Sequence, residues 1–163
     1  MLRRIQQKKA LPQGGTFVIV ASRYNARYVD AMLSAARTEL RRAQVSDIRI
    51  VRVPGAFEIP IAAKRLARAA RLGSGNALSA IICLGVILRG ETVHAAHIGE
   101  AVSRALMDVQ VTHEIPVIHE VLLLENEAQA RVRCRSPRHN RGAEAAQTAL
   151  AMARVMADLN GRS

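Results

Sequence analysis

Apolar positions follow two rhythms along this chain. Short aliphatic runs alternate with longer stretches whose apolar residues recur three and four apart, the periods of strand and helix. TFVIVAS, Thr16–Ser22, predicts a first strand. Asn25 then opens a helix with Val29, Met32, Leu33, Ala36 and Leu40 on one face. Ile48–Val53 predicts a second strand. Glu58 to about Arg71 predicts a second helix, with Ile59, Ala62, Ala63, Leu66 and Ala70 turned inward. Pro60 fits the first turn of that helix, where its missing N–H is harmless. GSGN, 73–76, reads as a turn. Leu78–Leu88 predicts a third strand, apolar almost throughout as a strand covered on both faces must be. A third helix, Thr92–Thr112, precedes a fourth strand, Pro116–Leu123. A short helix, Asn126–Cys134, and an alanine-rich final helix, Gly142–Leu159, complete the order.

Strand and helix thus alternate four times, which argues for an α/β domain with a parallel sheet between two helical layers. At 163 residues, with no linker, repeat or low-complexity tract, one domain is expected over residues 16–163. Residues 1–15, which begin MLRRIQQKKA, are basic and lack the apolar segment of a secretory signal, so they are read as a mobile arm. No apolar run is long enough to cross a bilayer. A cytoplasmic protein with no membrane partner is the expectation.

Composition adds an electrostatic term. The formal net charge is +11, concentrated in the arm and in Arg131, Arg133, Arg135, Arg138 and Arg141. Such a balance suits an anionic partner, whether a phosphorylated small molecule or a nucleic acid. With only two tyrosines and two phenylalanines, the chain is poorly equipped to stack single-stranded bases, so nucleic acid is the weaker reading. Cys83 and Cys134 form neither a metal pattern nor a disulfide framework. Cys83 reads as a core residue, and Cys134 lies among arginines that would favour its thiolate.

Ligands of open α/β sheets sit beyond the carboxyl ends of the strands. Every predicted strand exit here carries polar or aromatic side chains. Strand one exits into Tyr24 and Asn25, strand two into PGAFEIP, strand three into LRGETVH, and strand four around His119. Gly55 would let a ligand approach the main chain beside Phe57 and Glu58. Each of these has a plainer role open to it: Tyr24 covering a helix end, Phe57 as a core anchor, Glu58 as a first-turn acid. The segment RGETVH is sharper. The N–H groups of Glu91 and Thr92 at a helix start, with the Thr92 hydroxyl, would bind an anion. His94 follows within reach as a proton carrier. His94, His97, Glu100 and His119 do not form the dense pattern a metal needs, and no metal is expected.

PGAFEIP, then LGVILRGETVH, then EVLLLEN…RCRSPRHNRG, taken in order and at these intervals, resemble the 6,7-dimethyl-8-ribityllumazine synthase family of riboflavin biosynthesis. The resemblance runs from about Thr16 to Leu159. It implies a three-layer α/β/α subunit of flavodoxin-like kind with a four-stranded parallel core sheet. It also implies homo-pentamers, sometimes built into icosahedral shells, with active sites between neighbouring subunits, and riboflavin synthase as a partner. The implied reaction condenses 5-amino-6-(D-ribitylamino)uracil with 3,4-dihydroxy-2-butanone 4-phosphate, without cofactor or metal. By resemblance, Tyr24 stacks on the pyrimidine, and Asn25, Ala56, Phe57 and Glu58 bind the ribityl-uracil. Val86, Ile87 and Leu88 line the ring pocket largely by backbone. Glu91 and Thr92 cradle the phosphate and His94 moves protons. A neighbouring subunit's Arg133 clamps the phosphate, with Arg141 also assigned to it, and His119 closes over the ring.

The chain departs from the family pattern at several of these positions. Tyr24 stands for a phenylalanine, Val86 for a threonine, His119 for an aromatic, and Arg141 for a lysine. Ala95 and His97 stand where aromatics are common. Between Arg133 and Asn140 there is no insertion of the kind that blocks shells.

Overall fold

A strand of this sequence can bury both faces only if helices cover both sides of the sheet, and that is the arrangement found. The computed structural model describes residues 15–73 and 77–161; the basic arm, apart from Gly15, and most of the expected GSGN turn lie outside the described residues. Four strands, β1 (Thr16–Ser22), β2 (Asp47–Val53), β3 (Ala80–Leu88) and β4 (Val117–Leu124), form one parallel sheet in the order β2-β1-β3-β4. Five α-helices flank it: α1 (Ala26–Arg42), α2 (Ile59–Arg71), α3 (His94–His113), α4 (Glu127–Arg135) and α5 (Arg141–Leu159). A single 3-10 turn, Ala56–Glu58, leads into α2.

Alternation along the strands divides the core into two layers. Phe17, Ile19 and Ala21 of β1 and Ile82, Leu84 and Val86 of β3 pack with α1, α4 and α5. Val18 and Val20, with Ile81, Cys83 and Ile87, pack with α2 and α3. The predicted inward residues of α1 are all buried, joined by Tyr28. On α2 the buried stripe is Ile59, Ala63 and Ala67, while Ala62, Leu66 and Ala70 are only partly buried. The face is therefore rotated by about one residue from the predicted one. Gly142 sets the approach of α5 to α1: a Cβ there would lie 2.0 Å from the carbonyl oxygen of Met32.

Two boundaries shift in ways that matter for the site. The third helix begins at His94, not Thr92, because the Thr92 side chain folds onto the chain ahead of it: its Oγ1 accepts from the His94 N–H at 3.4 Å. His119 does not lie at the exit of the fourth strand as expected. It pairs with Cys83, in the strand's first half, while the exit is Leu124 beside Leu88. At about 3.3 Å per residue, His119 therefore stands roughly 16 Å below the carboxyl edge of the sheet.

Candidate active site

The strand order reverses between β1 and β3, from which the chain proceeds outward in both directions. Such a switch point opens a crevice at the carboxyl ends of its two strands. Here the walls of the crevice are tied together. Arg23 and Tyr24 donate their N–H groups to the carbonyls of Val53 and Pro54 at 2.8 and 3.0 Å, which fastens the β1 exit to the β2 exit. Asn25, held in the left-handed region at φ 56°, donates its side-chain amide to the Val86 carbonyl at 2.8 Å, across the switch point itself. Arg89 donates from its main chain to the Leu124 carbonyl at 2.8 Å and from its guanidinium to Glu125 at 3.0 Å, joining the exits of β3 and β4. Arg52 braces the same region, bonding Asp30 and the Ser22 carbonyl.

On this fixed rim the aromatic residues divide sharply. Phe17 and Tyr28 are wholly buried, whereas Tyr24 is 73% and Phe57 62% exposed. Phe57 is no core anchor, and most of the Tyr24 ring is open to solvent. Glu58 explains the glycine ahead of it. Its carboxylate turns back to accept the Gly55 N–H at 2.9 Å, and a Cβ on Gly55 would come within 3.0 Å of that oxygen. The side chains of Val86 and Ile87 are buried and that of Leu88 is half-buried, so what these residues offer the crevice is largely main chain. Ala56 is buried against the α2 and α3 layer, beside Gly85.

The turn between β3 and α3 closes the crevice. Glu91, Thr92 and His94 are exposed, and among the described residues the N–H groups of Glu91 and Thr92 donate to no backbone or side-chain acceptor. They stand just ahead of a 20-residue helix whose dipole favours an anion at this end. Among the described residues no hydrogen bond engages the His94 ring.

Three expected site residues lie elsewhere. His119, Arg133 and Arg141 gather along the open edge of the sheet, on and beside β4. The His119 ring bonds Ser103 of α3. Arg141, expected at the phosphate, is instead forked onto Glu120 of β4, with both bonds at 3.0 Å, and onto Glu144 at 2.7 Å. Arg141 is thereby committed to acids of its own chain and is not presented to an anion. Burial opposes the Arg141 charge, but the carboxylates outweigh it and hold the group above its ordinary value. Arg133 is exposed and forms no hydrogen-bonded ion pair among the described residues, though its charge acts on the nearby Glu120.

Sequence reasoning missed Glu120. It is 7% exposed, and burial pushes its carboxyl up to about 7, further than Arg141 pulls it down. The one available signal was a lone acid inside VIHEVLLL, where a charge inside an apolar run requires a partner. Asn140 was missed too. Its oxygen caps α5, accepting from Gly142 at 2.8 Å, while its amide donates to the Cys134 carbonyl at 2.6 Å. The expectation for Cys134 is corrected: it is buried, and burial with the nearby Glu120 charge pushes its thiol up to about 11, away from the thiolate. Cys83 is buried in the sheet, which likewise raises its thiol.

Residues 14–157 match the sequence profile described as 6,7-dimethyl-8-ribityllumazine synthase. The chain belongs to the 6,7-dimethyl-8-ribityllumazine synthase family. A relative of that name from Xanthomonas campestris pv. campestris (strain B100) is 40% identical over 147 residues, 89% of this chain and 92% of the relative. Another, from Xanthobacter autotrophicus, is 39% identical over 88% of this chain and 86% of its own length. A third, from Kineococcus radiotolerans, is 42% identical over 81% and 79%. Family membership thus rests on nearly the whole chain, and on both the crevice and the β4 edge. Among the described residues no helix is long and apolar enough to cross a membrane, and no cluster of three or more His, Cys, Asp or Glu could hold a metal.

Proposed function

We propose that the chain condenses 5-amino-6-(D-ribitylamino)uracil with 3,4-dihydroxy-2-butanone 4-phosphate, releasing phosphate and water to give 6,7-dimethyl-8-ribityllumazine. This is a transferase step of riboflavin biosynthesis. The observation that carries the reading is the laced crevice at the switch point, where two exposed aromatic rings stand beside a helix-start turn with unspent amides and a free imidazole. The flat pyrimidine lies against Tyr24 and Phe57, its ribityl hydroxyls reaching Glu58. Asn25 contributes by holding the Val86 carbonyl in place, since its amide is engaged there. The phosphate binds the amides of Glu91 and Thr92 and is left by the backbone unhydrated on that side.

His94 takes and returns protons while the 5-amino group adds to the ketone, water departs and the imine forms. The same imidazole lies near the phosphate whose departure creates the reactive enone. No protein-bound intermediate is required; the chain's task is to orient two reactants and to handle protons.

The site is completed by a second copy. The crevice opens between β1 and β3, whereas the edge half-site lies on the far side of β3, on β4, with His119 well below the rim, so one chain does not bring them together. A homo-oligomer in which one protomer's edge, with Arg133 and His119, faces its neighbour's crevice would do so. Exposed Met107, Val111 and Leu123 on α3 and β4 suit such a contact. A ring of five protomers, open to further assembly into shells, is the form proposed, with one domain per chain, residues 1–15 as an arm, a cytoplasmic setting and riboflavin synthase as the consumer of product. Mixing the purified protein with both substrates tests the activity. Fluorescent lumazine should accumulate, and sedimentation of the same sample should give a multiple of five chains. Absence of product with intact substrates sinks the proposal.

A further inference from the structure

One hydrogen-bond chain on the β4 edge fixes more than a position. The Ser103 Oγ lies 2.8 Å from the Gly99 carbonyl on its own helix and 2.7 Å from His119 Nε2. A hydroxyl has one hydrogen, and a carbonyl can only accept. The Ser103 hydrogen therefore points to Gly99. Toward His119 the Ser103 oxygen accepts, so Nε2 must carry the hydrogen. The other ring nitrogen gives the same answer independently. Nδ1 lies 3.4 Å from the Val121 N–H, which can only donate, so Nδ1 presents a lone pair. Both contacts select the tautomer with hydrogen on Nε2, and together they hold the ring at both ends. Neither nitrogen has a hydrogen or lone pair left for a ligand. The ring remains exposed, and what it can offer is its face.

We propose that Ser103 is a positioning residue, which locks the orientation and tautomer of the His119 ring so that it meets the pyrimidine substrate as an aromatic plate and not as a hydrogen-bonding group. This rests on the reading that His119 borders the neighbouring protomer's crevice. A histidine held in this way brings the substrate no free nitrogen donor. It also gives Ser103, which no other feature of the chain singles out, a defined task.

The test is a pair of variants read against both substrates in the full-length assembly. Ser103→Ala removes the anchor at Nε2. The KM for the ribitylaminouracil should rise about fivefold, the equivalent of one ordinary hydrogen bond. The kcat and the KM for the butanone phosphate should stay within about twofold. Ser103→Thr, which keeps the hydroxyl, should restore the KM. In a His119→Phe background, whose ring needs no anchor, Ser103→Ala should change nothing. An equal loss in that background would mean that Ser103 acts through α3 and not through His119, and would overturn the proposal. So would an unchanged KM in Ser103→Ala.

A second readout is independent of turnover. In 15N-histidine-labelled protein, the His119 signals, assigned by their absence in His119→Phe, should report Nδ1 unprotonated and Nε2 protonated. Ser103→Ala should mix the tautomers. If the wild-type protein makes no lumazine, the functional reading fails while this spectrum still decides the role of Ser103. The opposite tautomer, or one indifferent to Ser103, would overturn it.

Discussion

The switch-point crevice and the β4 edge are built from the same kinds of residue in opposite states. In the crevice the rim is tied down, by backbone and by side chains such as Asn25 and Arg89, while the aromatic rings and the His94 imidazole are left exposed. Main-chain and Asn25 bonds lace the strand exits, while Tyr24, Phe57, Thr92 and His94 stand exposed. Along the edge the side chains bind one another. Glu120 holds Arg141, and Ser103 holds His119. Arg133 is the exception, exposed and with no hydrogen-bonded ion pair among the described residues. The contrast teaches where unspent interactions have been kept. Groups that must change partners during a reaction are left unsatisfied by the fold, whereas groups that must present a fixed surface are satisfied in advance.

The sharpest break of this contrast is His94→Ala. It should slow turnover by about 10²–10⁴-fold, the usual contribution of a positioned acid–base group. Because the His94 ring is exposed and unbonded, the urea midpoint should not move. Stability lost together with activity would mean that the crevice is as self-supporting as the edge.

Glu120→Ala should show the reverse. It removes the forked partner of Arg141 and should cost about 3 kcal/mol of stability, the scale for breaking a buried pair. The pH dependence carries a definite sign. The folded chain holds the Glu120 proton more tightly than the unfolded one, whose carboxyl keeps its ordinary value of 4.5. Stability should therefore be greatest at the acid side of this window and fall as pH rises from 4.5 to about 7. Thermal melts of Glu120→Gln over the same range should lack that decline, and a decline of equal size would assign it to another group.

Arg133→Ala lies between the two. It should raise the KM for the butanone phosphate about tenfold or more while leaving that for the uracil nearly unchanged. Its stability should be that of the parent chain. If crevice and edge belong to different protomers, co-assembly of His94→Ala with Arg133→Ala should give turnover at low butanone phosphate above that of either variant alone, because some sites would draw both intact halves. No recovery on mixing unfolded and refolded chains would place both residues in one protomer's site.

The smallest effect separates two helix starts. Asn140→Ala should destabilise the chain by about 1 kcal/mol through loss of the α5 cap. Thr92→Ala, at the uncapped start of α3, should scarcely alter the melt and should instead weaken phosphate binding.

The sequence by itself determined the order and type of every strand and α-helix described, though not the 3-10 turn Ala56–Glu58, because strand and helix periods are local consequences of backbone geometry. It also marked Tyr24, Phe57, Glu91, Thr92 and His94 as strand-exit residues, since an exit is a local property once the strands are known. It did not determine the strand order, the depth of His119 in β4, or the capture of Arg141 by Glu120. Those follow from pairings between distant segments, and only packing decides which polar groups lose water and must find each other. Residues 120 and 141 carry opposite charges in the sequence, as many pairs do. Burial beneath α4 and α5 is what turns that pair into a fixed structural element, and the Ser103 anchor is what turns a histidine into a plate.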